Sequence, residues 1–187
     1  LERGEVAVLS GAAFVEPRRP EGAPTPLAGV AIVVLPPAPG FLGDLEAVKA
    51  HARDSAARYL GAAGEVRKIQ EAHEQAVRQA GASHLVFTAA TDTVGRFELK
   101  GIPAGEWVLL GRHEILHPKP PRKIPQQDRA SRHFLLEPQP SGYRTVTYWL
   151  LPLRAAAGGE VRVELHDRNP WLTAVAEEKT QGVKPTP

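Results

Sequence analysis

The sequence contains no cysteine and no methionine among its 187 residues, and aromatic residues account for only 6% of the chain. Without cysteine the fold is not built on disulfides, and this sequence offers neither a thiol nucleophile nor a lipid-modified N-terminal cysteine. Because the chain lacks methionine and begins at Leu1, we expect that its N-terminus was processed, as after removal of a signal peptide. The expected location is therefore periplasmic or extracellular.

The chain also lacks a strong charge imbalance and a long apolar run. Its formal net charge is +2, which is too balanced to indicate a nucleic-acid partner. No apolar run reaches the ~20 residues that a helix needs to span a bilayer, so no transmembrane segment is expected in this sequence. Turn-forming residues are abundant instead, with Pro 18 and Gly 17, and this composition is typical of a turn-rich β protein.

The stretch 91–107 predicts two tight turns and two short strands. Phe97 and Leu99 point to one face and the charged residues between them to the other, which is the period-two pattern of a half-buried strand. Aspartate suits a turn because it bonds the backbone locally, and glycine because it adopts positive φ without steric cost. The predicted turn residues are Asp92, Gly95, Gly101 and Gly105.

This run, T-D-T-V-G-R-F followed by G-I-P-A-G, resembles the repeated pattern of the carboxypeptidase regulatory-like family of prealbumin-like (transthyretin-like) β-sandwich modules. Residues 26–35 and 5–15 look like two further strands of that family. The resemblance covers residues 5–36 and 83–115. It implies a mainly β fold, a seven- or eight-stranded antiparallel sandwich forming a single domain over 1–187, and it brings no catalytic residue. The predicted core side chains are Val30, Ile32, Val34, Phe97, Leu99, Val108 and Leu110.

Residues 41–81 differ in composition from the rest and predict an α-helical hairpin inserted into the sandwich. Apolar residues recur every three to four positions along a segment without proline. Asp44 is the predicted N-cap, and Gly61 and Gly64 mark the predicted break between the two helices. Because family modules have a short connection here, we expect both helices to project from the sandwich and to contribute little to its core.

His113, Glu114 and His117 form the sequence H-E-x-x-H, which on a helix binds zinc with the glutamate as general base. The surrounding residues instead predict a strand, and Pro118 directly follows the second histidine. Four residues of a strand span about 13 Å, whereas both imidazoles must lie about 2 Å from one metal ion. We therefore expect no shared metal, no cofactor and no catalytic residue here.

A basic, proline-rich loop at 117–131 is the strongest candidate for partner binding. Proline favours an extended conformation, and the cations supply contacts to carboxylates or phosphates. A solvated loop without a partner is an equally good interpretation. The candidate partner-binding residues are Lys119, Arg122, Lys123, Arg129 and Arg132.

The C-terminal segment 167–187 predicts a short helix followed by an extended tail. Asn169 and Pro170 are typical of an N-cap and a first helical position, which places the helix at 171–179. Trp171 is a further candidate for partner binding, and alternatively it packs this helix onto the sandwich.

These features predict a non-catalytic, exported accessory subunit that docks on a larger extracytoplasmic or membrane-bound protein complex. Its expected partners are other protein subunits and not nucleic acid. The alternative is a carbohydrate- or cell-surface-binding module, and a zinc metallohydrolase acting through His113, Glu114 and His117 is less favoured. The aromatic residues that would form a sugar-binding surface are Tyr143, Tyr148, Trp149 and Trp171.

Overall fold

A computed structural model describes residues 6–118 and 140–179 of the chain. The described residues are mainly β, with nine strands and two α-helices. The strands are β1 Ala7–Val15, β2 Thr25–Pro26, β3 Ala31–Leu35, β4 Phe87–Ala90, β5 Arg96–Ile102, β6 Gly105–Pro118, β7 Pro140–Ala155, β8 Glu160–His166 and β9 Leu172–Lys179. The helices are α1 Pro39–His51 and α2 Ala56–Gln79, and a short 3₁₀ turn covers Ser83–Leu85.

The strands form two sheets whose inner faces pack against each other. In the small sheet, β1 lies between β5 and β8, and the two-residue β2 pairs with the end of β1. The large sheet has the order β4-β3-β6-β7-β9. A sandwich was expected, but an entirely antiparallel one was not found, because β1 and β8 run parallel. Residues 156–159 form a short link between β7 and β8. At its end Gly159 O accepts a hydrogen bond from Val8 N at 3.0 Å. β8 therefore begins beside the start of β1 and runs in the same direction.

The inner faces of the two sheets form one continuous core. Among the predicted core residues, Val30, Ile32, Val34, Phe97 and Leu99 belong to it. It also contains the fully buried side chains of Leu9, Leu109, Trp149 and Leu165.

Val108 and Leu110 are buried, but they face away from this core, which corrects their predicted position. Trp107 and Leu109 face inward in their place. Both faces of β6 are covered, so residues 107–110 are all apolar. The sequence therefore does not show which of these side chains face the inner core and which face outward.

The two helices cover the outer face of the large sheet, so the prediction of a projecting hairpin is wrong. Phe41, Leu45 and Val66 are at most 5% exposed and pack with apolar residues of the sheet in a second core. The outer face of the sheet is apolar, and burying it stabilises the fold by roughly 25 cal/mol per Å². The sheet residues in this second core are Leu35, Val108, Leu110, Val146, Tyr148 and Ala174.

The helix boundaries also differ from those predicted. α1 begins at Pro39, five residues before Asp44, because proline fits the first turn of a helix. The break lies before α2, where Ser55 Oγ accepts a hydrogen bond from Arg58 N at 3.2 Å. Gly61 and Gly64 lie inside α2. An N-cap and tertiary packing outweigh the cost of about 1 kcal/mol for each glycine. Neither helix in the described ranges combines the length and apolar character that crossing a bilayer requires.

The predicted helix at 171–179 is a strand, β9, which pairs along β7. Asn169 does not cap a helix, because its Oδ1 accepts hydrogen bonds from His166 N at 2.8 Å and Trp149 Nε1 at 3.0 Å. Those bonds fix the turn after β8. Ala174 is then fully buried beneath the helices, and the preceding Thr173 is exposed on the opposite side of the strand. The long open edge of β7 therefore decides the conformation of this segment.

Candidate binding surfaces

The turn between β4 and β5 is held by Asp92. Its Oδ1 accepts hydrogen bonds from Val94 N at 3.0 Å and Arg96 N at 2.8 Å. Gly95 has φ 76°, and a Cβ there would collide with the carbonyl oxygen of Ala13. The second turn uses Gly101 and Gly105, which both have positive φ. All four residues are committed to backbone geometry.

Thr91, which precedes this turn, is the buried polar residue of the described chain and was not singled out from the sequence. Its Oγ1 donates a hydrogen bond to Leu27 O at 2.6 Å and accepts one from Val30 N at 2.9 Å. The hydroxyl therefore joins the β4–β5 turn to the chain entering β3. The sequence signal for this contact is the adjacent pair Thr91 and Asp92. The threonine side chain bonds to the segment before β3, and the aspartate side chain bonds within the β4–β5 turn.

The H-E-x-x-H residues lie on the strand β6, as the neighbouring residues predict. His117 Nε2 forms a hydrogen bond with Thr145 Oγ1 at 3.1 Å, and its ring stacks on Tyr143. Glu114 points to the other face of the strand, where it pairs with Arg144 at 3.0 Å. Burial lowers the pKa of His113. The two imidazoles and the carboxylate therefore do not converge on one point.

The four aromatic residues do not form a shared platform, which corrects the predicted sugar-binding surface. Tyr148 and Trp149 are each 1% exposed and face opposite sides of β7. The Tyr148 hydroxyl donates to Ala63 O at 3.0 Å, and burial raises its pKa. Trp171 is half-buried, and its Nε1 donates to Glu46 Oε1 at 2.8 Å. Trp171 thus attaches the start of β9 to α1.

The cations of the basic loop lie outside the described residues, so their partner binding stays a prediction. They are Lys119, Arg122, Lys123, Arg129 and Arg132. The tail at 180–187 lies outside them as well. The strands that carry the loop are described, and they end at Pro118 and resume at Pro140. The loop is therefore attached to the end of the β6–β7 pair.

That end of the large sheet forms an arm, which consists of residues 113–118 of β6 with the paired residues 142–147 of β7 and 173–178 of β9. β3 pairs with β6 only as far as Arg112. Within the described ranges, no strand pairs with this edge of β6 beyond that residue. Among the described residues, the backbone edge is therefore unpaired along the arm.

Three large apolar side chains are exposed on the arm. The exposed fractions are 46% for Ile115, 50% for Leu116 and 42% for Tyr143. Ile115 and Leu116 are adjacent on a strand, so they lie on opposite faces of the arm. Sequence reasoning missed this surface because it treated these positions as part of a metal motif. The available signal was the apolar pair between two histidines at the end of a long strand.

A cleft of about 220 Å³ lies between α2 and the outer face of strands β3 and β6. Its floor is apolar and its walls are charged, but the carboxylates are already paired. Glu71 accepts from Arg67 Nε at 2.7 Å, which raises the pKa of that guanidinium, and Glu74 accepts from Arg78 at 2.8 Å. A ligand would have to displace these partners. The floor is formed by Ala31, Val33 and Leu110.

No protein-family model and no curated protein matches the sequence. Among solved structures, a candidate carbohydrate-binding protein of Pseudomonas aeruginosa is 14% identical over 87% of this chain and 88% of its own, with a TM-score of 0.44. The pilus backbone protein of Streptococcus pneumoniae is 13% identical over 85% of this chain and 40% of its own, with a TM-score of 0.31. Likeness at this level carries no argument about function.

Proposed function

We propose that the protein is a non-catalytic accessory subunit that docks on a larger extracytoplasmic or membrane-bound protein complex through the arm. The observation that carries this proposal is the open edge of β6 beyond Arg112, flanked by exposed Ile115 and Leu116. The arm also carries the attachment points of the basic loop. Apolar contact, backbone pairing and charge are thus available at one end of the molecule.

An open sheet edge can accept a strand from another chain. Its unpaired N–H and C=O groups can pair with a strand of another chain, and pockets on each side of that strand then supply specificity. Natural sheets usually protect such edges with charge, proline or a covering element. Here Ile115 and Leu116 expose apolar surface on both faces of the same edge. A strand donated by a partner subunit would cover the edge and part of both side chains.

Membership in the carboxypeptidase regulatory-like family, with its prealbumin-like topology, is part of the proposal. It is supported by the geometry of the T-D-x-x-G turn at Asp92 and Gly95 and by the two-sheet arrangement. Export to the periplasm or the cell exterior is the location that this resemblance implies. The fold offers no argument for catalysis, because function must be argued from a site and not from the architecture.

The carbohydrate-binding alternative ranks second. Of its four proposed aromatic residues, Tyr148 and Trp149 are buried and Trp171 is engaged with α1. Tyr143 keeps an exposed ring, but one of its faces is stacked on His117 with 4.6 Å between ring centroids. A zinc hydrolase ranks last, because His113 and His117 are separated along a strand.

The test is co-purification of partner subunits with a tagged chain expressed in its native cells. We expect the double substitution Ile115→Glu and Leu116→Glu to remove the partners, because it places charge on both faces of the docking edge. The matched control is Val94→Glu, since Val94 is 58% exposed but lies on the β4–β5 turn. Val94→Glu should keep the partners. Recovery of the same partners with the folded double variant contradicts docking through the arm.

The contribution of the basic loop is tested separately with Arg122→Glu and Lys123→Glu. We expect weaker association, with the larger loss at low salt, because exposed charges are screened over about 10 Å at 0.1 M ionic strength. Association that is unchanged in this variant and lost in the arm variant assigns binding to the strand edge alone. Association unchanged in both variants removes this end of the molecule from the interface.

A further inference from the structure

The outer face of the small sheet, which we call the charged face, carries an ordered pattern of opposite charges. Between Val8 and Ala12 its middle strand β1 presents short side chains there, and the two flanking strands present long charged ones. Phe14, the next outward residue of β1, stacks on His166 beyond these rows. The strand register arranges them in three rows across the sheet. In these rows Lys100 and Glu160 lie opposite Val8, Glu98 and Arg162 lie opposite Ser10, and Arg96 and Glu164 lie opposite Ala12.

Each row therefore has one positive end and one negative end, and the sign alternates from row to row. β5 and β8 are separated by two strand spacings, or about 10 Å, so the two charges of a row do not meet across β1. Short side chains between them leave an open groove of about 790 Å³ along the face. The charged side chains form the two raised rims of this groove.

The existing ion pairs run along the strands and remain exposed. Lys100 Nζ lies 2.8 Å from Glu98 Oε1, and Arg162 Nε lies 2.9 Å from Glu160 Oε1. These four side chains are between 50% and 79% exposed. Arg96 and Glu164 form no ion pair within residues 6–118 and 140–179. All six groups are therefore accessible to a second charged surface.

The sign pattern has a particular symmetry. Consider a second copy placed face to face and related by a twofold axis that runs parallel to β1. The axis keeps each row at its own height and exchanges the two rims, so β5 of one copy lies over β8 of the other. Lys100 then faces Glu160, Glu98 faces Arg162, and Arg96 faces Glu164, and symmetry repeats every pair.

The other twofold axis in the plane of the face, perpendicular to β1, produces the opposite result. It keeps the rims but reverses the order of the rows, so Glu98 faces the Glu98 of the other copy and Lys100 faces Arg96. Like charges facing each other oppose association. The pattern thus favours one orientation and disfavours the other.

From this charge complementarity we infer that the charged face is a docking surface for a second copy of this chain, with the twofold axis parallel to β1. The rims make contact first, because the central residues Val8, Ser10 and Ala12 are short. Water fills the groove between the two sheets, as is common in polar interfaces. The association is weak and sensitive to salt. It uses the small sheet and leaves the arm free for another partner.

The test is sedimentation velocity of the full chain, with charge-reversal variants. The wild-type protein should self-associate at about 20 mM salt and become monomeric at about 0.5 M, where the Debye length is shorter than the rim side chains. Glu98→Lys places lysine opposite Arg162, and Arg162→Glu places glutamate opposite Glu98. Each variant alone should remain monomeric at low salt.

An equimolar mixture of the two variants distinguishes this interface from a general charge effect. In the mixed dimer the lysine introduced at 98 in one copy faces the glutamate introduced at 162 in the other, and the remaining native Arg162 faces the remaining native Glu98, so association should return. The double variant Glu98→Lys with Arg162→Glu should also self-associate. The controls are Glu65→Lys in α2 and Arg53→Glu in the turn between the two helices. They make the same charge changes at exposed positions away from the charged face and should behave as wild type.

Three results would overturn the inference. The first is a wild-type protein that stays monomeric at low salt up to a protein concentration of about 1 mM. Even a weak dimer with a dissociation constant near that value would be partly populated there. The second is self-association of both single variants, which would assign the contact to another surface. The third is a mixture that remains monomeric. All of the substituted side chains are exposed, so unchanged thermal unfolding of each variant ensures that a loss of association is not a loss of fold.

Discussion

The outer faces of the two sheets have opposite chemistry. The large sheet presents Leu35, Val108, Leu110 and Val146 outward, and two helices cover them. The small sheet presents short side chains between rows of charge, and among the described elements nothing covers it. Each strand of a sandwich has an inner and an outer side, and the residues at the outer positions decide which sheet receives a further layer. The helix layer is therefore part of the fold, and the charged face remains available to a partner.

The largest effect is expected from removing the helix layer. Replacing residues 39–80 with a short linker exposes the whole apolar outer face of the large sheet. Closing the loop costs little, but the exposed surface is a large aggregation site. We expect loss of the cooperative unfolding transition, measured by circular dichroism on heating. A soluble deletion variant with a sharp transition would show that the small and large sheets suffice without the helices.

A smaller and more local effect is expected at Leu45, which is fully buried between α1 and the large sheet. Leu45→Ala should lower the free energy of unfolding by about 2–5 kcal/mol, the range for truncating a buried leucine. The measurement is urea denaturation. Leu60→Ala is the matched control, because Leu60 is 37% exposed on α2, and it should cost much less. Equal effects from both would mean that the helix layer is loosely packed.

The inner face of β1 is crowded, unlike its outer face. A Cβ at Gly11 would lie 2.5 Å from Phe97 Cε1 and 2.7 Å from Val163 Cγ2. Gly11→Ala should therefore destabilise the protein by about 1–3 kcal/mol, as overpacking does. Gly64→Ala in α2 meets no atom within 4 Å, so it should stabilise by roughly 0.5–1 kcal/mol through helix propensity. Urea denaturation should give a lower free energy of unfolding for Gly11→Ala and a higher one for Gly64→Ala than for the wild type.

His113 predicts a pH dependence of stability. Burial lowers its folded-state pKa, which the carboxylate of Glu114 opposes to a smaller extent. The native state then binds fewer protons than the unfolded state, whose histidine pKa is about 6.5. This contribution to stability is present above that pH and is lost as the pH falls below it. His113→Gln should reduce the loss of stability between about pH 7.5 and 5.5, and an unchanged pH profile contradicts the assignment.

The smallest effect on stability is expected on the charged face. Arg96→Gln and Glu164→Gln should each change the free energy of unfolding by less than about 0.5 kcal/mol, because exposed side chains away from packed features contribute little. Thermal unfolding measures this. A substantially larger loss would mean that the pattern of charges stabilises the monomer, which would remove the contrast between the two outer faces.

Local rules predicted the two-sheet core well. The alternation around Ile32 and Phe97 assigns their inward faces, and the Asp92 and Gly95 pair predicts a turn whose hydrogen bonds are internal to it. Those signals are contained within a few residues. By contrast, β9 is a strand because the neighbouring edge of β7 accepts it, and no nearby residue of the sequence carries that information.

The helix layer and the binding surfaces depend on tertiary structure in the same way. Helical periodicity near Leu45 indicates a helix but not which surface its apolar side covers. The open edge at Ile115 exists because β3 ends its pairing at Arg112, and strand length alone does not reveal that. The charged rows require the register of three strands from distant parts of the chain. Sequence patterns therefore predict elements, while their open faces and edges follow from the assembly.

Native-state hydrogen exchange tests most directly the claim that the helices are a structural layer and not an appendage. Amides of α2 around Ala63 and Val66 are compared with those of β3 and β6 around Val34 and Leu109, which lie in the sandwich. If the helices are a structural layer, all of these amides exchange only through global unfolding, with the same free energy and the same dependence on denaturant. Exchange of the α2 amides at a much lower free energy, while the strands stay protected, would contradict that claim.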